Sequence, residues 1–141
     1  KTLELEVERA ERFKQPLSII ALDIDDFKIV NDEFGHANGD MVLVQMSRLL
    51  KKNIREIDLL ARWGGDEFMI LLPNTGLEAA AHTAEKLRQL IVDAKLDKRA
   101  TITTSFGVAQ LRQGESAMRL SIRADNALYQ SKDSGKNRIS S

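Results

Sequence analysis

No cysteine occurs in the 141 residues, which excludes a disulfide, a thiolate metal site and a cysteine nucleophile, and fits a reducing compartment. Charge of one sign is missing too. Lys+Arg and Asp+Glu are both 21, so the chain lacks the basic excess with which nonspecific nucleic-acid binders neutralise phosphates. No apolar run approaches the length of a membrane span and no signal-peptide pattern opens the chain. The expectation is a cytoplasmic segment without membrane contact, whatever anchor its parent protein carries. Aromatic residues are few, at 5%, and Trp63 and Phe68 read as packing on a hairpin rather than platforms for stacked bases. His82 reads as a solvated or packing residue of a helix. Proline is nearly absent: Pro16 stops one helical pattern and Pro73 closes the hairpin. The length suits one domain around one core.

What is present is a run of alternating elements. Residues 1–14 carry Leu3, Val7, Ala10 and Phe13 near helical spacing, a stretch that either packs on the domain or continues a helix from an upstream region. With Lys1 in place of a methionine, the chain reads as a piece of a longer protein, residues 1–14 being a linker helix and 15–141 the domain proper. Leu17 to Leu22 is a nearly continuous apolar run, typical of a strand buried on both faces. Residues 27–34 read as helix, 35–39 interrupt it, and 40–53 resume with Val42, Leu43, Met46, Leu49 and Leu50. A hairpin is expected over 58–73, and an amphipathic helix over 76–94 with Ala80, Ala84, Leu87, Leu90 and Ile91 inward. Residues 101–111 alternate and are β-branched, with Gly107 as a candidate bulge. A last helix covers 116–134, and Ile139 opens a short strand. The order is β-α-β-β-α-β-α, an α+β pattern with an antiparallel sheet and helices on one side.

The hairpin carries Arg62-Trp63-Gly64-Gly65-Asp66-Glu67-Phe68. A Gly-Gly pair between two apolar runs suits a tight turn, because glycine takes positive φ without steric cost. The bland reading is a glycine turn with two solvated charges. Against it, two acids sit side by side where one polar group would suffice, and bare glycine backbone lets a large ligand lie close. The first strand ends on Asp23-Ile24-Asp25-Asp26. If it lies beside the hairpin, Asp23 and Asp66 converge at one edge of the sheet. Gathered carboxylates repel and shift one another's pKa unless a cation neutralises them. Oxygen ligands with a backbone carbonyl available suit Mg²⁺ or Mn²⁺, and two acidic strand ends holding divalent metal are an arrangement for phosphoryl transfer. Lys28, one helical turn beyond Asp23, and Lys132, near the end of the last helix, are placed to meet phosphate oxygens.

These blocks together carry a family resemblance. Asp23-Ile24-Asp25-Asp26-Phe27-Lys28 with Asn31-Asp32, Phe34-Gly35-His36, Gly39-Asp40, the hairpin heptapeptide, Ser105-Phe106-Gly107-Val108-Ala109, and Ala124-Asp125-Asn126-Ala127-Leu128-Tyr129 with Lys132, Gly135 and Asn137 occur in that order. From about Ala10 to Ile139 the sequence resembles the GGDEF domain of diguanylate cyclases, bacterial enzymes that condense two GTP into cyclic di-GMP and release two pyrophosphates. The resemblance implies a palm-like, ferredoxin-type central antiparallel sheet flanked by helices. It implies metal binding by the Asp23 and Asp66 carboxylates and the Ile24 carbonyl. Guanine recognition would fall to Asn31 and Asp40, with His36 at the same end of the pocket. A carboxylate accepts from the guanine N1–H and N2–H₂ edge, which adenine would leave unpaired. Lys28 and Lys132 would hold the triphosphate, Lys28 also stabilising charge in the transition state, and Phe27, Gly65 and Lys136 would line the substrate site. Either Asp66 or Glu67 would help deprotonate the attacking 3′-hydroxyl. Three positions depart from the family pattern: Lys136 where arginine is usual, which loses a bidentate fork, Ser131 where alanine is common, and the aspartate form at Asp66.

One guanine pocket per chain and a product with two equivalent linkages require two copies facing each other about a two-fold axis. An upstream sensor would enforce that transient pairing through the N-terminal helix. Arg55-Glu56-Ile57-Asp58, otherwise a solvated charged connection, resembles the family's inhibitory product site, with Lys86 or Arg88 as helpers. The expected partners are therefore GTP, cyclic di-GMP, a second copy and a sensor. The alternative is a catalytically silent domain that binds GTP or cyclic di-GMP, against which the intact acids Asp23, Asp66 and Glu67 speak. Another nucleotidyl cyclase is disfavoured by Asn31 and Asp40.

Overall fold

The computed structural model describes residues 2–141, which form five helices and one five-stranded sheet. The elements follow as α1 (Thr2–Phe13), β1 (Leu17–Ile24), α2 (Phe27–Phe34), α3 (His36–Lys52), β2 (Leu59–Arg62), β3 (Glu67–Pro73), α4 (Leu77–Ala94), β4 (Thr104–Gln110), α5 (Ala117–Asp133) and β5 (Ile139–Ser140). The sheet order is β2-β3-β1-β4-β5, so the apolar run from Leu17 lies in the centre. Among the described residues no helix is long and apolar enough to cross a membrane.

β1 decides the layering. Ile20, Leu22 and Ile24 point into a core shared with Val42, Leu43 and Met46 of α3 and Leu87 and Ile91 of α4. Leu17, Ile19 and Ala21 point the other way, onto Leu120, Ala124 and Leu128 of α5 and Val7 and Ala10 of α1. Helices therefore cover both faces, not one. A strand without polar alternation has no face to give to water, and that demand overrides the one-sided arrangement read from element order. The sheet is also mixed: β1 pairs antiparallel with β3 and β4, but β5 runs parallel to β4, with Phe106 opposite Ile139. The crossover through α5 returns the chain in the same direction. The break between α2 and α3 narrows from five residues to Gly35 alone, at φ 93°, and α3 starts at His36.

Gly107 is not a bulge. It stands in regular register opposite Ala21. Its role is close approach, because a Cβ placed there would lie 2.2 Å from both the Ala124 carbonyl oxygen and the Leu128 nitrogen of α5. Ser131, on the same helix, donates to the Phe106 carbonyl at 2.7 Å and shares a hydrogen bond with Ser140 Oγ at 2.8 Å. The Ser131 hydroxyl thus ties α5 to β4 and β5. Ser116 caps the start of α5, accepting from the Arg119 N–H.

Gly107→Ala is expected to cost about 2–3 kcal/mol in urea unfolding, since backbone atoms of α5 must move to admit the methyl group. Gly65→Ala, where an added Cβ meets nothing within 4 Å, should stay within about 0.5 kcal/mol of the parent chain. Equal small costs at both positions would refute the close approach.

Candidate active site

The acids meet at one end of the sheet because the ladder puts them there. Asp23 lies opposite Glu67 of β3 on one side and Ser105 of β4 on the other. Asp66 is near enough to Asp23 to raise its pKa by repulsion. The turn that delivers Asp66 and Glu67 closes through the Trp63 N–H, which donates to the Glu67 carbonyl at 2.8 Å. The Arg62 guanidinium donates to the Gly65 carbonyl at 2.6 and 3.1 Å. Neither Gly64 nor Gly65 has positive φ; the positive-φ glycines are Gly35, Gly114 and Gly135. What the pair supplies is room, since an added Cβ at either position meets nothing within 4 Å.

Lys132 of α5 reaches this strand end. Its Nζ forms an ion pair with the Asp23 carboxylate, lies 3.2 Å from Asp25 Oδ1 and donates to the Ile24 carbonyl at 3.2 Å. The ammonium is turned onto the expected metal ligands. Burial works to lower its pKa, but Asp23 and Asp25 outweigh it and hold the pKa above 10.5. Asp23 is raised above 3.8, chiefly by burial and then by Asp66 and Asp25, with Lys132 opposing. Asp25 has the opposite fate. Burial pushes it up, yet it accepts from Ser105 Oγ at 2.6 Å, Thr103 Oγ1 at 2.7 Å and the Asn137 N–H at 2.9 Å, and its pKa falls below 3.8. Asp25 anchors the site; its sequence signal is the i, i+2 hydroxyl pair of Thr103, just before β4, and Ser105 within it. Lys136 Nζ binds Asp26 Oδ1 at 2.5 Å.

Glu67 points to the α5 face, where Asp125 shares a hydrogen bond with it. Burial first, then Asp125, and then the charges of Asp23 and Asp66 push the Glu67 carboxyl from 4.5 to about 7. The two acids line a cavity of about 270 Å³ with Trp63, Met69, Ser121 and Ile122. Sequence reasoning gave Asp125 no role.

A second cluster lies on α2 and α3. An added Cβ on buried Gly39 would fall 1.7 Å from Asn31 Oδ1 and 3.1 Å from the Phe27 ring, so the glycine lets Asn31 lie against α3. Among the described residues Asn31 Oδ1 is buried without a hydrogen-bond partner, an acceptor waiting for a donor. His36 and Asp40 are exposed nearby in the first turns of α3, and Lys28 is exposed in the first turn of α2.

Arg55 and Asp58 stand at the other end of β3. Asp23 pairs with Glu67 but Leu17 with Pro73, a ladder of six steps or roughly 20 Å. The Arg55 guanidinium grips Asp58 and donates to the Pro73 carbonyl at 2.8 Å and to Thr75 Oγ1 at 2.6 Å. A cavity of about 330 Å³ beside it is lined by Lys52, Asn53, Ile54, Thr83 and Lys86 as well as the pair. Arg88 is not among them, being engaged with Glu85 at 2.7 Å and Asn137 at 2.9 Å.

Among the described residues no three His, Asp or Glu side chains gather closely enough to form a metal site by themselves. Two carboxylates and a carbonyl need no third. The Asp23 carboxylate and the Ile24 carbonyl already converge on a cation, the Lys132 ammonium, so the donor set fits a hard metal ion.

Glu67 sets a pH dependence. An acid whose pKa rises on folding is destabilising once it ionises, so its cost begins near pH 4.5, grows until about pH 7 and then stays constant. Glu67→Gln should therefore raise the urea midpoint of the metal-free chain at pH 8 and change it much less at pH 5. The same change at both pH values would speak against the raised carboxyl.

Comparison with known proteins fits this geometry. The family model for the diguanylate cyclase GGDEF domain matches residues 1–138. Diguanylate cyclase A of Treponema denticola is 42% identical over 130 residues, covering 89% of this chain and 35% of that protein. The chain thus spans about a third of the length of the curated relatives it matches. The active GGEEF domain of a diguanylate cyclase from Vibrio cholerae superposes with a TM-score of 0.94 at 38% identity, over 99% of this chain and 90% of that one. The GGDEF domain of DgcB from Caulobacter crescentus, solved in complex with cyclic di-GMP, gives 0.93 at 32% identity, over 99% and 85%. Strand order, hairpin acids and these matches agree that the chain belongs to the GGDEF family of diguanylate cyclase domains.

Proposed function

We propose that the chain condenses two GTP into cyclic di-GMP, two copies meeting about a two-fold axis. In each half-reaction a ribose 3′-oxygen bonds to the α-phosphorus of the GTP on the facing chain. The bond to pyrophosphate breaks, and the hydroxyl proton leaves to Asp66 or Glu67. The observation that carries the reading is the cation-holding strand end: Asp23 and the Ile24 carbonyl beside Asp66 and Glu67, next to an open glycine turn. Asp23, Asp66 and the Ile24 carbonyl would hold Mg²⁺ or Mn²⁺, which when bound neutralises phosphate charge and polarises the reacting phosphorus.

The rest of the assignment follows the chemistry of each group. Asn31 Oδ1, buried and unpartnered among the described residues, suits an amino donor such as guanine N2–H₂, and exposed Asp40 can accept from N1–H and N2–H₂. His36 would flank the same end, and the Phe27 ring lies against Gly39 there. Lys28 is free to meet the triphosphate. Lys132, which holds the Asp23 and Asp25 carboxylates and the Ile24 carbonyl, would also serve phosphate oxygens, as would Lys136, bound to Asp26. Gly65 leaves space for the nucleotide. The residues at 1–14 would connect the catalytic part, 15–141, to a sensor in the parent protein and so control pairing.

Arg55 and Asp58 are proposed as a product-binding inhibitory site, with Lys86 rather than Arg88 as the second base. DgcB binds cyclic di-GMP in its GGDEF domain, which supports a product site on this fold.

Incubation with GTP and Mg²⁺, followed by nucleotide chromatography at several protein concentrations, tests the activity. Cyclic di-GMP should form at a rate steeper than linear in protein and fall at least about a hundredfold in Asp66→Ala. No product at any concentration, with tight binding of cyclic di-GMP, would favour the silent receptor. For the inhibitory site, Lys86→Ala should raise the cyclic di-GMP needed for half-inhibition about tenfold with KM for GTP unchanged. Arg55→Ala should do the same at an added cost in stability, because it also loses its bonds to Pro73 and Thr75. Unchanged inhibition in both variants would refute the site.

A further inference from the structure

The connection between α4 and β4 grips the two helices that carry the nucleotide-facing residues. Asp97 in this connection has a buried carboxylate, its side chain 3% exposed. Oδ2 accepts from Asn38 Nδ2 at 2.6 Å, and Oδ1 accepts from the Arg99 N–H at 2.9 Å. Arg99 Nε approaches the same oxygen at 3.7 Å, and the guanidinium sits 4.4 Å from the centroid of the Phe34 ring. Phe34 is the last residue of α2, and Asn38 lies in the first turn of α3. One loop therefore holds α2 through a stacked ring and α3 through a carboxylate, on either side of Gly35.

That placement matters because Gly35 is a weak link. It has φ 93°, its surroundings are open to 4 Å, and it joins the helices with no intervening residue. Asn31 sits on one helix, His36 and Asp40 on the other, and Asn38 lies between the latter two. Any rocking of α3 about Gly35 changes the spacing of Asn31 and Asp40. We infer that Asp97 is a positioning residue for base recognition: through Asn38, and with Arg99 on Phe34, it fixes the Asn31–Asp40 spacing that selects guanine over adenine. This rests on the reading of Asn31 and Asp40 as the guanine contacts. Asp97 acts through Asn38 and touches no substrate itself: its carboxylate accepts from Asn38 and the Arg99 N–H, with the Arg99 guanidinium close by.

The test is calorimetric titration of the chain, in Mg²⁺, with non-hydrolysable GTP and ATP analogues, which needs no pairing of domains. Asp97→Ala and Asn38→Ala should each weaken GTP-analogue binding about tenfold. The double variant should be no weaker than either single one, because both break the same contact. ATP-analogue binding should stay within about twofold, so that the guanine preference falls by the same factor. Equal weakening of both analogues would mean general loosening of the fold and overturn the inference. So would unchanged GTP-analogue binding in Asn38→Ala, which tests the contact even if Asp97→Ala folds poorly. Asp40→Ala separates the two layers. If it abolishes guanine preference while Asp97→Ala and Asn38→Ala do not alter it, the positioning role alone is wrong. If Asp40→Ala keeps the preference, the guanine assignment falls and the inference with it.

Discussion

Charge at the end of a doubly buried strand is the constraint on which the site depends. β1 is covered by α3 and α4 on one face and by α1 and α5 on the other, and its end carries Asp23 with Asp25 immediately beyond. Burial raises the cost of ionising both. The surroundings offset it with two hydroxyls, a backbone N–H and the Lys132 ammonium. Those groups come from the start of β4 and the residue before it, from the turn after α5 and from α5 itself. Local charge balance thus couples the far side of the sheet to the hairpin, and the close approach at Gly107 brings α5 near enough for Lys132 to reach.

The sheet separates the two proposed binding regions by its length. One end of β3 carries Glu67 beside the Asp23 cluster, and the other carries Pro73, whose carbonyl Arg55 holds. Arg55 therefore has a structural part independent of any ligand: it fastens the α3–β2 connection to the β3–α4 turn through Asp58 and Thr75. An arginine so preorganised loses little further entropy when its remaining edge meets an anion or a base. The same contacts mean that its removal disturbs the fold as well as any site, whereas Lys86, exposed on α4, carries no such burden.

What was legible in the sequence followed from periodicity and short spacing. The apolar run at Leu17–Leu22 gave the buried central strand, and the glycine–acid turn gave the convergence of Asp23 with Asp66 and Glu67. The side on which helices lie was misread, although the same apolar run held the answer: a strand with no polar face needs two covers. Gly107 reads as a bulge in sequence, yet it stands in regular register and its function is space for α5; of the two expectations for Gly64-Gly65, positive φ is absent and open space is what remains. A missing side chain looks identical in sequence whether it relieves strain or admits a neighbour. The Asn38–Asp97 contact spans 59 residues, and no local pattern marks either partner.

The Asp-Ile-Asp step shows most sharply where motif reading stops. Asp23 and Asp25 are two residues apart, the same residue type, and both touch Lys132. Their pKa values nevertheless move in opposite directions. The difference lies in donors: Asp25 accepts from Thr103, Ser105 and Asn137, which lie 78, 80 and 112 residues away in the chain, whereas among the described residues Asp23 has Lys132 as its donor and faces Asp66 besides. A carboxylate already saturated with hydrogen bonds has little left to offer a ligand, and one held by a single displaceable ammonium has most of its acceptor capacity in reserve. That asymmetry makes Asp25 the anchor and Asp23 the acid suited to an incoming cation. It is set by the register of β1 against β4 and by the return of the chain after α5, neither of which the motif contains.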